Sequence, residues 1–173
     1  GIIMGVIYTY GFNNIYNVAK ISLLPTGYAP VMDTIFSGLW YMAAPLAMYF
    51  VPTPGSGTIG ELLASIVEMA IGGQWGALTV LEGLIQGATN EIGFFPKKSR
   101  YQAFSWSSVL TGAFFASIGG FVPSYFLYGW YKYSIDLQIV MFITGVISSL
   151  VFDGVLVKLI TNLFERSLKP VIQ

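Results

Sequence analysis

The sequence predicts an all-α, polytopic membrane protein: six transmembrane helices in one bundle, with both termini cytoplasmic. Three observations carry that prediction. Of 173 residues 55% are hydrophobic and only 9% are charged, against roughly 25% charged in soluble domains. Apolar windows near the ~20 residues needed to cross ~30 Å of hydrocarbon recur six times. Basic residues collect after alternate windows, at Lys97, Lys98 and Arg100 and at Arg166 and Lys169, as the positive-inside rule expects of one cytoplasmic side.

The first window covers 1–18. The second, 34–51, is closed by Pro52, Pro54 and Gly55. The third, 58–71, is short and follows PTPGSGT, where Thr58 is placed to cap the helix with Glu61 three residues on. The fourth, 76–95, is separated from it only by GGQW, so the two read as an antiparallel hairpin. The fifth, 103–121, is expected to stop at Gly119, Gly120 and Pro123. The sixth, 138–163, runs into a polar tail. The stretches 19–33 and 122–137 then face outward, and the whole chain, 1–173, forms a single transmembrane domain.

Composition also excludes functions. The chain has no cysteine and no histidine, which removes thiolate nucleophiles, imidazole bases and the common zinc and haem ligands. No metal site and no cofactor are expected. Lysine plus arginine equals aspartate plus glutamate at eight each, so no basic field for nucleic acid exists. There is no G-x-x-x-x-G-K-[ST] segment, and ATP-driven work would need a partner.

Carboxylates in hydrocarbon cost several kcal/mol unless they face a bundle interior or a polar cavity. Glu61 and Glu68 are seven apart and share a helix face, while Glu82, Gln86 and Asn90 form an i, i+4, i+8 stripe that Glu91 leaves. Glu68 ends one helix and Glu82 begins the next, so with Gln86 and Trp75 they are candidates to line a pocket open to the outside. Glu61, Glu91 and Asp153 fall in the inner half, where they are expected to pair with Lys97, Lys98, Lys158 or Arg166 or to cap helix ends. A pocket of uncompensated carboxylates favours a cation or a strong hydrogen-bond donor. Gln86 both donates and accepts, which complements an aminopyrimidine edge. Trp40, Trp75 and Trp130 offer faces for a cation or flat heterocycle, or else anchor the chain at the interface. Gly1 and Gly5 in GIIMG form a small-residue face for a helix of this bundle or of another subunit.

The central stretch 52–95, PTPGSGTIGELLASIVEMAIGGQWGALTVLEGLIQGATNEIGFF, resembles the substrate-binding S component of energy-coupling factor (ECF) vitamin transporters. The likeness is to the YkoE-like group linked to thiamine or its hydroxymethylpyrimidine precursor, with GLIQGATNE, Gly83 to Glu91, as its signature. The resemblance implies a membrane subunit that captures a vitamin near the outer surface of a bacterial or archaeal cell membrane. It also implies a transmembrane coupling partner and two cytoplasmic ATPases. It assigns the pocket to Glu68, Glu82 and Gln86, with Glu91 the terminal glutamate, and the partner interface to Gly1 and Gly5. The loop 19–33 would be an outer gate, with Tyr28 and Trp40 as aromatic neighbours by position. Three rival readings are a stand-alone cation- or proton-coupled secondary transporter, an intramembrane enzyme using paired carboxylates, and a structural assembly subunit.

Overall fold

In the computed structural model, which describes residues 1–168, the chain is all-helical, with no strand among those residues. Helix α1 spans 2–23 and contains a π turn, Tyr8–Phe12. Helix α2, 31–50, is built from Val31–Ile35, a 3₁₀ segment Ser37–Tyr41, and Ala43–Phe50. The hairpin follows as α3, Ser56–Ala70, and α4, Leu78–Asn90, extended by a 3₁₀ turn Glu91–Gly93. A short α5, Lys98–Ala103, leads into α6, Trp106–Leu127. Last comes α7, Ile135–Leu168, with a wide π segment Ser149–Leu156.

Two of these helices are long and apolar enough to cross a membrane: α6, 22 residues with mean hydropathy 1.4, and α7, 34 residues with mean hydropathy 2.2. The other four apolar windows fold into shorter or interrupted helices. At 15 residues α3 rises about 22 Å, short of a ~30 Å hydrocarbon core.

Two local expectations change. Helix α6 does not stop at Gly119 and Gly120 but runs through Pro123 to Leu127. Proline removes one ladder bond and crowds the carbonyl four residues back; that residue is Gly119, which carries no side chain of its own to crowd the turn. Nor do Thr58 and Glu61 form a capping box at α3. Gly55, at φ 89°, turns the chain into the helix, and the capping carboxylate comes from the facing helix. Glu91 accepts from the Gly55 and Thr58 amides at 2.7 and 2.8 Å, from Thr58 Oγ1 at 3.0 Å, and from the Tyr101 hydroxyl at 2.8 Å. These bonds satisfy donors that a helix start leaves without intrahelical acceptors.

Small residues set the close contacts. A Cβ at Gly1 would lie 2.8 Å from Leu63 Cβ, and one at Gly5 2.7 Å from Val67 Cβ. The small face of α1 is therefore spent inside the bundle against α3, which corrects its assignment to a partner subunit. A core of Met48, Phe94, Tyr101, Phe104 and Val157 closes the end of the bundle that carries Lys97, Lys98 and Arg100.

Candidate functional site

The opposite end holds a cavity with about 80 Å³ of space for water centres. Its walls come from Asp33 to Tyr41 of α2, Glu61 to Glu68 of α3, Thr79 to Gln86 of α4, the second half of α6 with Tyr128 and Trp130 beyond it, Gly145 in the first half of α7, Trp75 of the hairpin turn and Tyr8 of α1. In an antiparallel bundle those segments share one end, so the cavity is one-ended and lies away from the basic cluster.

Glu68, Glu82, Gln86, Trp40 and Trp75 all line it, which brings together five of the six residues expected there. Tyr28 does not reach it; at 58% exposure it stands on the turn after a 3₁₀ segment, Leu24–Thr26. Glu61, expected to lie away from the substrate, is on the lining and only 1% exposed. Asn90, one turn beyond Gln86 on the same stripe, is not on the lining: it is fully buried and donates to Asp153 Oδ2 at 2.8 Å, tying α4 to the π segment of α7.

Three of the four lining acids are held by neutral donors. Glu82 accepts from Ser124 Oγ at 2.7 Å and from the Tyr128 hydroxyl at 2.8 Å. Glu68 accepts from Asn13 Nδ2 at 3.1 Å, and Asn13 in turn accepts from Gln74 Nε2 at 3.2 Å, fixing the hairpin turn that carries Trp75. Glu61 accepts from the Tyr8 hydroxyl at 3.2 Å and from the Ala44 amide at 2.9 Å, while Tyr8 accepts from the Ala43 amide. Those two amides open the α-helical part of α2 after its 3₁₀ segment, where no intrahelical acceptor serves them.

Among the described residues the only ion pair is Lys20 with Asp33, at 2.7 Å, with Tyr16 donating to the same carboxylate. Glu61, Glu91 and Asp153 therefore have no basic partner in Lys97, Lys98, Lys158 or Arg166, contrary to that part of the expectation; Lys169 lies outside the described residues. Lys158 instead sits 5.3 Å from the centre of the Phe104 ring. The pocket that results is acid-lined with no cation on its wall. Asp33, the fourth acid, already has one.

One side is aromatic. Tyr16 packs 5.7 Å from Trp40 and 5.5 Å from Trp75, Trp40 meets Trp75 edge-on at 6.4 Å, and Trp75 lies 5.9 Å from Tyr128. Trp40 Nε1 is buried without a hydrogen-bond partner. Trp130, 6% exposed, completes the lining. Gln86 presents its carboxamide with no partner among the described residues.

Sequence reasoning missed Tyr8, Asn13, Asp33, Ser124 and Tyr128. A signal existed for α1, where Tyr8, Phe12 and Tyr16 recur every fourth residue with Asn13 beside them. None existed for Ser124 and Tyr128, which lie beyond the proline taken as the helix end.

A helical, membrane-type fold around a buried, polar cavity is the architecture of a membrane transport component, and the comparisons with known proteins point to the same class. The chain belongs to the family described as ABC-type cobalt transport system, permease component, matched over residues 1–119. It is similar to YkoE of Bacillus subtilis (strain 168), provisionally named an HMP/thiamine permease protein. The two are 26% identical over 161 residues, 93% of this chain and 77% of that one. A crystal structure of an S-component of an ECF transporter matches with a TM-score of 0.82 at 24% identity, covering 96% of this chain and 80% of that chain; the likeness there is one of fold. These relatives are transport components and not enzymes, and the YkoE-like resemblance read from 52–95 agrees with them. The chain is thus a membrane transport protein with an S-component fold.

Proposed function

We propose that this chain is the substrate-binding subunit of an ATP-driven ECF importer, a six-pass, single-domain membrane protein with both termini cytoplasmic. It captures thiamine or its hydroxymethylpyrimidine precursor from outside and hands it inward with a coupling subunit and two ATPases. The observation that carries the reading is the cavity in which Glu61, Glu68 and Glu82 converge with no basic residue to balance them. A cationic or donor-rich ligand supplies what the wall lacks. The aromatic side offers faces to a flat ring or a cation, and Gln86 offers a paired donor and acceptor to an aminopyrimidine edge. The family description names cobalt, but among the described residues no three His, Cys, Asp or Glu side chains are grouped to hold a metal ion, so an organic ligand fits the wall better.

The position of the cavity supports capture from outside. It lies at the end opposite Lys97, Lys98 and Arg100, and the positive-inside rule puts that basic end in the cytoplasm.

The test is calorimetry on the purified chain with thiamine and with hydroxymethylpyrimidine, beside flux into vesicles containing this chain alone. Binding without flux is the expected pair of results. Flux driven by a pH gradient would replace this reading with a stand-alone secondary transporter, and absence of binding to either compound would end it.

A further inference from the structure

At the basic end a second cavity opens beside the start of α6, a cleft with about 390 Å³ of space for water centres. Its wall carries the Arg100 guanidinium and the hydroxyls of Ser99, Ser105, Ser107, Ser108 and Thr111, with no acidic residue. Among the described residues Arg100 has no ion-pair partner, and Lys97 and Lys98 precede it on the same short turn. Ser105 and Ser108 bond each other, with 3.2 Å between their hydroxyls; the Arg100 guanidinium and the Ser99, Ser107 and Thr111 hydroxyls remain to donate to an anion, and a guanidinium fork fits the two oxygens of a phosphate in particular.

The surroundings identify the source. Ile92, Phe95 and Trp106 flank the cleft in the sequence and are 44%, 61% and 42% exposed. An exposed tryptophan and phenylalanine beside a lysine pair describe headgroup depth, where apolar side chains meet acyl chains and basic ones meet phosphates. We propose that this cleft is a binding site for the phosphodiester of an anionic phospholipid, held by Arg100 and the Ser107 and Thr111 hydroxyls, with Lys97 and Lys98 adding charge. The site is separate from the vitamin cavity and does not rest on the ligand proposed for it.

The experiment uses the full chain in vesicles of equal phosphatidylglycerol and phosphatidylcholine, re-extracted gently, with retained lipids counted by native mass spectrometry. The wild-type chain is expected to retain phosphatidylglycerol over phosphatidylcholine by about fivefold or more per engaged basic residue. Arg100→Gln is expected to lose most of that preference. Arg100→Lys keeps the charge and gives up the fork, so it is expected to fall between the two; Ser107→Ala with Thr111→Val should lower the preference with no change in charge. A preference untouched in Arg100→Lys and in the hydroxyl variant would reduce the site to a general basic patch and overturn the proposal. A second arm titrates inorganic phosphate into chain that has retained phosphatidylglycerol and, separately, into chain held in phosphatidylcholine alone. Displacement of retained phosphatidylglycerol only at large excess of phosphate supports a lipid site, whereas tight phosphate binding with no lipid preference overturns it. Thermal unfolding of each variant identifies any that has merely failed to fold.

Discussion

Replacing Glu82 by glutamine isolates the charge at the cavity from its shape. The carboxylate accepts two hydrogen bonds, from Ser124 and Tyr128 at 2.7 and 2.8 Å. Glutamine has nearly the same outline: one hydroxyl still donates to its carbonyl, and the other can rotate and accept from the new NH₂. The fold should therefore survive with an unfolding midpoint shifted by a few degrees. Ligand affinity should not. A neutral aminopyrimidine loses a charge-assisted hydrogen bond and keeps an ordinary one, a difference of about 1 kcal/mol or roughly fivefold. A ligand bearing a fixed positive charge also loses its Coulomb attraction. At about 6 Å and an effective dielectric of about 20 that attraction is about 2.8 kcal/mol, offset in part by the lower cost of burying a neutral amide. A net loss of about 1–3 kcal/mol is expected for hydroxymethylpyrimidine and thiamine, with the larger loss for thiamine. Calorimetry on both compounds with both proteins measures the difference directly. Equal losses for the two would show that Glu82 does not sense charge, and no loss for either would show that the ligand lies elsewhere.

The other substitutions separate binding from scaffolding. Gln86→Ala should weaken binding of either compound by about 1–3 kcal/mol, the scale of a buried donor or acceptor left unpaired in the complex, while leaving thermal stability almost unchanged. Trp75→Ala should weaken the cationic ligand by about 1–2 kcal/mol through loss of its ring face, and Tyr28→Ala should leave calorimetric affinity unaltered, since Tyr28 is outside the cavity. Gly5→Val should lower stability in detergent by about 1–3 kcal/mol, because its Cβ would press on Val67; unchanged stability would return the Gly1 and Gly5 face to a partner subunit. Glu91→Ala strands the amides of Gly55 and Thr58 and the Tyr101 hydroxyl, so thermal unfolding should show a loss of about 3 kcal/mol or more, with affinity changed less than twofold.

What was legible in the sequence follows the range of the forces involved. Apolar windows and the GGQW turn report local burial and chain reversal, and they located the hairpin and placed Glu68, Glu82 and Gln86 on a common pocket. Heptad spacing put Glu61 and Glu68 on one face, and the structure shows that this face is the cavity wall for both. The error on Glu61 came from depth: charge partners were assigned by distance along the membrane normal, whereas its partners, Tyr8 and the Ala44 amide, are neighbours only in the packed bundle. Pro123 misled in a different way. A proline in water-exposed sequence ends a helix, but in a packed apolar helix the lost ladder bond is tolerated, and the extension delivers Ser124 and Tyr128 to Glu82. The Gly1 and Gly5 face could be read as small but not as occupied, since spacing alone does not say which helix approaches.

The five acids in the apolar helices then divide by what satisfies them, and the division bears on the ligand. Glu91 and Glu61 accept backbone amides at the starts of helical segments, where the partial positive charge of a helix N-terminus already favours a carboxylate. Asp153 is fully buried and bonded to Asn90. Glu68 and Glu82 receive only side-chain donors, which hold their carboxylates in place without opposing their charge. Orientation by Asn13, Ser124 and Tyr128 lowers the entropy lost on binding, while carboxylates with no basic partner leave the empty site electrostatically strained. An incoming cation relieves that strain and a neutral ring does not. For that reason the two ligands should diverge most at Glu68 and Glu82 and least at Gln86, whose amide serves both alike.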